Sequence, residues 1–471
     1  MKIEQRAVFR AYDIRGVAGV DFDAAWVEEL GRALGAWYLS RGLGRAVLGR
    51  DCRATSPEYL AALARGLAST GVDVILAGLL ATPMLYHAVR TLRTRAGVMV
   101  TASHNPPRYN GFKLWGGDCV LSPEEILQVR DLMDAGDHPV GRGVVSSHDP
   151  IPAWLEEVSA LERLEPRPGS RPLRVVVDGG NGSAGELTAL LLERAAQNAD
   201  PEAASAPVLE VERLFCEPDG TFPNHHPDPV VESNMERLKA RVLETGADLG
   251  VGLDGDGDRI GVVDETGRLW PGDRLLALFA RDVLRRAPGA RIIADVKCSH
   301  LLFRDIAAHG GVPVMGVTGH SIMKRALKEQ GAALAGEMSG HMFFGEGFFG
   351  WDDAPYAALR LASLLVRSVG PLSAMLDDWP ESWATPEIRM PCPEASKFDV
   401  VRRVREDLAA RFDIIDVDGV RVVFPDGWGL VRASNTQAEL TLRFEAESEA
   451  RLAEIERLIR EAVERARRSL G

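Results

Sequence analysis

The sequence predicts an α/β protein of three similar α/β domains with mixed sheets, followed by a C-terminal α+β domain. The chain has 471 residues, which is too long for one hydrophobic core at roughly 100–200 residues per domain. Strand-like and helix-like segments alternate in three successive blocks before residue 384, as is typical of α/β domains. Beyond that point, shorter alternating strands lie between two amphipathic helices, which indicates an α+β domain.

The first block, residues 1–150, begins with a predicted helix at 24–38. The predicted strands cover 46–48, 72–77 and 96–100, and the helices between them cover 57–69 and 83–91. This order favours parallel strands joined by right-handed crossovers. Because ligands of such sheets gather at the carboxyl ends of the strands, we expect the loops at 49–53 and after residue 100 to face a ligand.

Two further blocks, 151–268 and 269–383, repeat this plan, and a Pro-rich stretch at 165–172 is typical of a linker. The second block has a strand at 173–177, the glycine-rich loop 178–182 and a helix from about 184. The third has strands at 291–294 and 312–316 and helices at 300–309 and 321–330, with Lys297 and residues 318–320 in loops. The last domain, 384–471, has a helix at 397–412, strands between 414 and 444, and a final helix at 447–470.

Composition and charge disfavour several classes of protein. The formal net charge is −13, so the overall field would repel nucleic acid and anionic membranes. No window reaches the ~20 apolar residues of a membrane span, and the N-terminus lacks the apolar segment of a secretory signal. Five scattered cysteines without a CxxC pair favour free thiols in a reducing compartment. We therefore expect a cytoplasmic protein that binds any phosphate through a local basic cluster.

The stretch TASHNP, residues 101–106, places the hydroxyl of Ser103 beside the imidazole of His104 at a predicted strand end. Serine and asparagine in such stretches also form ordinary turns, so this motif alone does not establish catalysis. The turn that follows would return Lys113 towards the serine. Only seven residues of the chain are lysines, and lysine, unlike arginine, can titrate when desolvated. Lys113 is therefore a candidate for proton transfer or charge binding.

Residues 254–258, DGDGD, place Asp254, Asp256 and Asp258 at alternate positions with glycines between them. Glycine lets the backbone curl so that carboxylates converge on an oxygen-ligated divalent cation. An EF-hand is the competing interpretation, but its sixth position should be glycine and is Arg259, and the flanking segments are strand-like. We favour a magnesium site over both an EF-hand and a solvated acidic turn, since Mg²⁺ takes few protein carboxylates and leaves room for phosphate oxygens.

Two later loops carry polar groups suited to a sugar phosphate. Residues 336–341, GEMSGH, set an acid, a hydroxyl and an imidazole at alternate positions, a combination that binds adjacent sugar hydroxyls. Residues 432–436, RASNT, bring one guanidinium and three hydrogen-bonding side chains into one turn, which suits a phosphate dianion. Each stretch in isolation is equally compatible with a polar loop or turn.

These four motifs, in this order over nearly the whole chain, closely resemble the α-D-phosphohexomutase family, and within it the bacterial phosphomannomutase/phosphoglucomutase group. The resemblance implies four domains around a central active-site cleft. It implies reversible phosphoryl transfer between the 1- and 6-positions of mannose or glucose phosphates. Ser103 would be the phosphorylated serine, hexose 1,6-bisphosphate the intermediate and activator, and one Mg²⁺ per chain the cofactor. We expect hexose phosphates as the only partners of a monomer or homodimer, and a C-terminal domain that closes as a lid.

The resemblance also implies a role for individual residues. The metal ligands would be a phosphate oxygen on Ser103 and the carboxylates of Asp254, Asp256 and Asp258. The reacting centre would be lined by Arg15, His104, Lys113, Arg259 and His320, with the general base open between Lys113 and His320. The substrate would be held by Tyr12, Lys297, Glu337, Ser339, His341, Arg432, Ser434, Asn435 and Thr436.

Two alternatives remain beside the hexose-phosphate mutase. Met338, between Glu337 and Ser339, resembles the hexose form of its loop, whereas amino-sugar relatives tend to carry glutamine there, so a phosphoglucosamine mutase is the second hypothesis. A non-catalytic sugar-phosphate-binding relative is the third. The combination of Ser103, three aspartates and Lys113 disfavours that third hypothesis, because a binding module has no use for a carrier serine.

Overall fold

The computed structural model describes residues 3–165, 171–199, 208–435 and 437–470. Within these residues the chain forms four separate sheets, each built from one continuous part of the sequence. The five cysteines are free, and no helix of the described residues is both long and apolar enough to cross a membrane. The linker expected at 165–172 lies largely outside the described residues, since 166–170 are not among them.

The first sheet has seven strands: β1 (Ile14–Val17), β2 (Arg45–Arg50), β3 (Asp73–Leu79), β4 (Ala96–Val100), β5 (Tyr109–Gly116), β6 (Cys119–Val120) and β7 (Val145–Ser147). The helices of this part are α1 (Ile3–Arg6), α2 (Ala24–Leu39), α3 (Ser56–Ser69), α4 (Thr82–Thr91) and α5 (Pro123–Ala135), and the next helix, α6 (Ile151–Ser159), begins the second part. The strand order is β1-β5-β4-β2-β3-β7, with parallel pairs from β4 to β7 and antiparallel pairs at β5. The sheet is therefore mixed, as expected.

The second sheet contains β8 (Leu173–Asp178), β9 (Leu209–Leu214), β10 (Leu249–Leu253), β11 (Ile260–Asp264) and β12 (Leu269–Trp270), with helices α7 (Gly185–Gln197) and α8 (Glu236–Thr245). Its order is β12-β11-β10-β8-β9. β10 pairs in parallel with β8 and antiparallel with β11, so this sheet is also mixed. Because β12 pairs with β11, the sheet continues two residues beyond position 268.

The third sheet contains β13 (Arg291–Asp295), β14 (Val312–Gly316), β15 (Leu334–Gly336) and β16 (Met342–Phe344). Its helices are α9 (Gly272–Arg286), α10 (His300–Ala308), α11 (His320–Glu329) and α12 (Ala354–Arg367). β13 pairs in parallel with β14 and β15, and β16 is an edge strand that pairs antiparallel with β15. Helix α12 crosses to the neighbouring domain and packs against α7, which joins the second and third parts of the chain.

The last sheet is entirely antiparallel and contains β17 (Trp383–Ala384), β18 (Ile388–Pro391), β19 (Asp413–Ile415), β20 (Val420–Phe424), β21 (Gly427–Ala433) and β22 (Glu439–Ala446). The two helices α13 (Lys397–Ala409) and α14 (Glu449–Arg468) cover it. Both are amphipathic: Val404 and Ile459 face the sheet and are fully buried. This is the predicted α+β domain.

Local sequence explains why the central strands and their helices form. β4 and β10 are buried along their whole length, as strands of a parallel region covered on both faces must be, and their residues are apolar or glycine. Helices α2 and α3 pack very closely, because a Cβ on Gly66 would lie 2.1 Å from the carbonyl oxygen of Glu28. The carboxyl ends of β4 and β10 carry the serine and aspartate motifs, so the fold brings these two loops to one place.

Candidate active site

Ser103 follows β4 in a sharp turn and is almost fully buried. Its backbone has φ +49°, a left-handed conformation that non-glycine residues rarely adopt. The Ser103 N–H donates to Thr101 Oγ1 at 2.9 Å, and the hydroxyl oxygen lies 3.1 Å from His104 Nδ1. The hydroxyl donates to Asp254 Oδ2 at 2.6 Å. The predicted nucleophile therefore meets the predicted metal loop directly.

The approach of these two loops depends on Gly255. A Cβ at this position would lie 2.4 Å from the carbonyl oxygen of Ser103, much closer than nonbonded atoms allow. Ser183, which follows the glycine-rich loop after β8, supports the other side, since its N–H donates to the Gly255 carbonyl at 3.0 Å. The glycines of the DGGNG and DGDGD segments thus serve close packing of backbone, as well as curvature of the metal loop.

The three aspartates form a buried cluster whose ligand oxygens lie within 4.8 Å of one another. Asp254 Oδ1 accepts the N–H groups of 257, 258 and 259 at 2.9, 3.0 and 3.2 Å, which fixes its orientation. Among the described residues, no hydrogen-bond donor reaches Asp256 Oδ1 or Asp258 Oδ1. Burial, together with the neighbouring carboxylates, raises the pKa of Asp254 well above its usual value. Unpartnered buried carboxylate oxygens of this kind fit a divalent cation.

Lys113 extends from β5 into the same cluster. Its Nζ lies 2.6 Å from Asp256 Oδ2 and also donates to Asp258 Oδ2. Although burial acts to lower it, the carboxylates of Asp256 and Asp258 raise the pKa of Lys113 above its usual value. Thr82, at the start of α4, donates to Asp256 Oδ2 at 2.5 Å. Lys113 is therefore held as a cation that neutralises the metal loop.

His320 is the first residue of α11 and is buried. Its Nδ1 lies 3.2 Å from Lys324 Nζ, and that ammonium lies 2.7 Å from Asp352 Oδ1. Burial first, and then the charge of Lys324, lower the pKa of His320 well below its usual value. Because the Lys324 ammonium can only donate, Nδ1 of the neutral ring accepts and Nε2 carries the proton.

His341 lies against Arg259, which the resemblance placed at the reacting centre. His341 Nε2 accepts a hydrogen bond from Arg259 Nε at 3.0 Å, and His341 Nδ1 lies 3.1 Å from the Asp258 carbonyl oxygen and 3.1 Å from Asp352 Oδ2. Both ring nitrogens thus have protein partners in this structure. The resemblance implied that His341 holds sugar hydroxyls, which stays a prediction; in this structure its ring contacts Arg259.

Arg15 and Tyr12 come from the segment that leads into the first sheet. Arg15 donates to Asn105 Oδ1 at 2.5 Å and to the carboxylate of Asp13, so it lies beside the serine loop. The hydroxyl of Tyr12 donates to the carbonyl oxygen of Thr318 at 2.8 Å and accepts from Asn435 Nδ2 at 2.6 Å. Tyr12 therefore connects the first, third and fourth domains at the cleft.

The sugar loop is organised by Glu337. Its Oε1 accepts the N–H of Gly319 at 2.8 Å, and its Oε2 accepts the hydroxyl of Ser339 at 3.0 Å. Glu337 thus braces the residues that precede His320. The sulfur of Met338 lies 3.0 Å from Nη1 of Arg443, a residue of β22. Met338, which the sequence links to substrate choice, is thus in contact with the C-terminal domain.

The phosphate loop follows β21. Arg432 Nε donates to Asp418 Oδ2 at 3.0 Å, and the same oxygen accepts the N–H of Thr318 at 3.0 Å. The buried ammonium of Lys397 donates to the carbonyl oxygens of Ser434 and Gln437 at 2.5 and 3.0 Å. Thr436 lies outside the described residues. Lys397 therefore fixes the backbone of the phosphate loop, and Asp418 connects Arg432 to Thr318 of the third domain.

Lys297 lies in the loop between β13 and α10, where it faces the C-terminal domain. Its Nζ lies 3.1 Å from Glu387 Oε2. Although burial acts to raise it, Lys297 lowers the pKa of Glu387 to about 2. The backbone of this loop is also held by the C-terminal domain, since Arg421 donates to the carbonyl oxygens of Val296 and Cys298 at 2.5 and 2.8 Å.

Several buried side chains that support the site received no role from sequence reasoning, namely Arg53, Thr82, Lys324, Asp352, Lys397 and Arg443. The scarcity of lysine was a usable signal for two of them, because Lys324 and Lys397 are among only seven lysines in the chain. No pattern marks the arginines, since arginine is the usual basic residue of this protein.

Four family models match the chain in order: phosphoglucomutase/phosphomannomutase alpha/beta/alpha domain I over residues 6–139, domain II over 152–267, domain III over 271–382 and the C-terminal domain over 387–462. A phosphomannomutase/phosphoglucomutase of Pseudomonas aeruginosa is 43% identical over 455 residues, which is 96% of this chain and 95% of that protein. A phosphoglucomutase of Neisseria gonorrhoeae is 41% identical over 469 residues, or 98% and 97% of the two chains.

A crystal structure of a phosphoglucomutase/phosphomannomutase family protein from Burkholderia thailandensis superimposes with a TM-score of 0.90. It is 39% identical and covers 99% of this chain and 98% of its own. The fold and the site together define a four-domain enzyme with a buried serine beside a cluster of three aspartates. The chain belongs to the phosphoglucomutase/phosphomannomutase family.

Proposed function

We propose that this enzyme transfers a phosphoryl group reversibly between the 1- and 6-positions of hexose phosphates, with mannose or glucose as the sugar. The transfer passes through a phosphoserine at Ser103 and a hexose 1,6-bisphosphate intermediate. The observation that carries this proposal is the 2.6 Å contact between Ser103 Oγ and Asp254 Oδ2, because it puts a carrier hydroxyl at the edge of a cation-binding cluster. The names of the relatives agree with this reaction.

The aspartates 254, 256 and 258 would hold Mg²⁺ together with a phosphate oxygen on Ser103. When bound, the ion supplies positive charge to the oxygens of the transferring phosphoryl group. Lys113 and Arg259 place two fixed cations beside the same centre. Catalysis of phosphoryl transfer consists largely of such positioning and charge neutralisation.

In the first half-reaction the free hydroxyl of the hexose monophosphate attacks the phosphorus of phosphoserine. A bond forms between that sugar oxygen and phosphorus, the bond between phosphorus and Ser103 Oγ breaks, and the hydroxyl proton leaves to a base. Lys113 and His320, both buried at this centre, are the two candidates for this proton transfer. In the second half-reaction the bisphosphate has turned round: Ser103 Oγ bonds to the other phosphorus, the bond between that phosphorus and its sugar oxygen breaks, and the sugar oxygen takes up a proton.

The remaining predicted residues would bind the substrate. Glu337 and Ser339 would hold sugar hydroxyls, and Arg432, Ser434, Asn435 and Thr436 would hold the phosphate that does not react. Tyr12 and Lys297 would line the same cleft. We also propose domain boundaries near 150, 268 and 383. The contact of Tyr12 with Asn435 supports closure of the C-terminal domain over the bisphosphate, which excludes water from the phosphoserine.

The first test is the initial mutase rate on glucose 1-phosphate, mannose 1-phosphate and glucosamine 1-phosphate, with Mg²⁺ and a trace of hexose 1,6-bisphosphate. We expect fast turnover of the two hexoses and little of the amino sugar. The reverse preference would make the enzyme a phosphoglucosamine mutase, and no turnover of any substrate would favour a binding protein.

Ser103→Ala is the control for the phosphoserine mechanism in the same assay. We expect it to lose nearly all turnover and to keep its fold, as judged by circular dichroism. Turnover equal to that of the unmodified enzyme would refute the carrier role of Ser103.

A further inference from the structure

The guanidinium of Arg53 is in contact with the loop that carries Ser103. Arg53 follows β2, and its side chain has no solvent exposure. Nη2 donates to the carbonyl oxygens of Ser103 and Asn105 at 2.7 and 2.5 Å. Nη1 donates to the carbonyl oxygens of Pro106 and Tyr109 at 2.7 and 3.1 Å. A single side chain therefore holds four carbonyl groups of the serine loop.

Asp51 holds the guanidinium in place. Its Oδ2 accepts from Arg53 Nε at 3.0 Å, and its Oδ1 accepts the Arg53 N–H at 3.0 Å and the Ser56 hydroxyl at 2.5 Å. With this contact, all five N–H donors of the guanidinium have an acceptor, which is the full capacity of an arginine. A lysine ammonium has three donors at one point and cannot reach the same set of carbonyl groups.

The second domain closes the remaining side of Arg53. The guanidinium carbon lies 5.1 Å from the centre of the Phe222 ring, within the range of a cation–π contact. A Cβ on Gly220 would lie 2.6 Å from Arg53 Cα, so this segment packs against the Arg53 backbone. The second domain therefore shields the Arg53 guanidinium, which belongs to the first domain, from water.

The backbone conformation of Ser103 explains why these contacts with Arg53 are needed. With φ +49°, Ser103 has a conformation that L residues rarely adopt and that persists only where surrounding contacts fix it. Arg53 donates to the Ser103 carbonyl oxygen, and Arg15 donates to the Asn105 side chain of the same loop. These contacts fix the direction of the Cα–Cβ bond that aims Oγ at Asp254.

We infer that Arg53, held by Asp51, is a positioning residue for phosphoryl transfer. It fixes the serine loop so that Ser103 Oγ stays against Asp254 of the aspartate cluster. Arg53 does not touch the reacting atoms, and it acts through the backbone of residues 103–109. This inference rests on the proposed function and adds a residue to it.

The test compares Arg53→Lys with Arg360→Lys. Arg360 is an equally buried arginine that pairs with Asp282 and Glu162 at 2.9 Å and lies on α12, away from the serine loop. We expect Arg53→Lys to lower kcat about 100-fold, the usual effect of a small misplacement of a reacting group. KM for the hexose 1-phosphate should stay within about two-fold, because the binding residues are untouched. Arg360→Lys should lose thermal stability and keep kcat.

A second readout follows the serine itself. Phosphorylation of Ser103 by hexose 1,6-bisphosphate, measured by intact mass after rapid mixing, should slow in Arg53→Lys by the same factor as kcat. If Arg53→Lys does not fold, Asp51→Asn gives the same comparison, since it keeps the guanidinium and removes the charge that orients it. We expect Asp51→Asn to lower kcat at unchanged KM.

The outcomes separate this inference from the proposed function. An unmodified enzyme without mutase turnover would overturn both. An active enzyme whose Arg53→Lys variant keeps kcat, or changes kcat and KM as Arg360→Lys does, would overturn only the positioning role of Arg53. Reduced kcat with unchanged KM and slow serine phosphorylation would support it.

Discussion

The hydroxyl of Tyr12 accepts a hydrogen bond from Asn435 Nδ2 at 2.6 Å, although the two residues are 423 positions apart. The same hydroxyl donates to the carbonyl oxygen of Thr318 at 2.8 Å. One phenol thus joins the segment before the first sheet, the loop before His320 and the phosphate loop. The contact links the C-terminal domain to the first domain across the cleft, so we expect Tyr12 to stabilise the closed cleft.

The first prediction concerns Tyr12→Phe, which keeps the ring and removes the hydroxyl. We expect KM for the hexose phosphate to rise roughly five-fold, because closure loses a net hydrogen bond of about 1 kcal/mol. Steady-state kinetics measure the change. The matched control is Tyr59→Phe, which removes a buried phenol that contacts the Phe22 carbonyl oxygen at 3.1 Å, away from the cleft. Equal effects on KM in both variants would contradict the closure role.

The second prediction concerns Arg432→Ala. Removing the guanidinium of the phosphate loop should raise KM for hexose phosphates by roughly 10- to 100-fold, since hydrogen bonds to charged groups contribute about 1.5–3 kcal/mol. The effect on kcat should be smaller. Arg402→Ala, on the exposed face of α13, is the control and should leave both constants unchanged. An Arg432→Ala enzyme with unaltered KM and kcat would show that this turn is only structural.

The third prediction concerns the metal. Chelation with EDTA should abolish turnover, and Mg²⁺ should restore it, because the aspartate cluster would hold the ion. Mg²⁺ at 100 times its dissociation constant should also stabilise the fold by about 2.7 kcal/mol, which thermal unfolding with and without Mg²⁺ can measure. Asp256→Asn should lose most of this stabilisation. Asp118→Asn, which alters an exposed carboxylate, should keep it.

The fourth prediction concerns acid stability and Glu445, which lies between the third and fourth domains. Its carboxylate accepts from Ser299 Oγ and Trp428 Nε1, both at 2.6 Å. Burial acts to raise its pKa, but these contacts and His300 outweigh burial and lower the pKa of Glu445 to about 2. A lowered carboxyl pKa stabilises the fold above the unfolded value of 4.5, and that stabilisation is lost as the pH falls from 4.5 towards 2.

The shift corresponds to about 3 kcal/mol at neutral pH. Glu445→Gln should therefore unfold at lower urea concentration than the unmodified protein at pH 7, and the difference should shrink as the pH falls below 4.5. Urea titrations at several pH values measure it. Glu461→Gln, on the exposed face of α14, is the control. A difference that is independent of pH would mean that the Glu445 carboxylate is not the group responsible.

Much of the fold was readable in the sequence. The strand predicted at 96–100 is observed as β4 with the same bounds, and the strand at 312–316 as β14. The helix predicted at 57–69 begins one residue earlier, as α3. These elements are short, strongly patterned and bounded by clear turn residues, so local preference agrees with the tertiary structure.

The candidate site was predictable as a set of motifs but not as a set of contacts. Nothing in the sequence indicated that His341 would lie against Arg259, or that Met338 would contact Arg443 of the last domain. The sequence likewise does not indicate that Arg53 would contact the serine loop. A buried guanidinium and an exposed one look alike in a chain with many arginines, and only the packing shows which carbonyl groups surround it.

The sequence by itself determined the order of the domains, the type of each and the family, because alternation of elements and four ordered motifs are properties of the chain. Only the tertiary structure decided that Ser103 meets Asp254 across 151 positions and that Lys113 meets Asp256 across 143. It also decided that the pKa of His320 falls while that of Lys113 rises. The physical reason is that contacts and desolvation depend on how separate domains pack, and local sequence does not encode the distance between them.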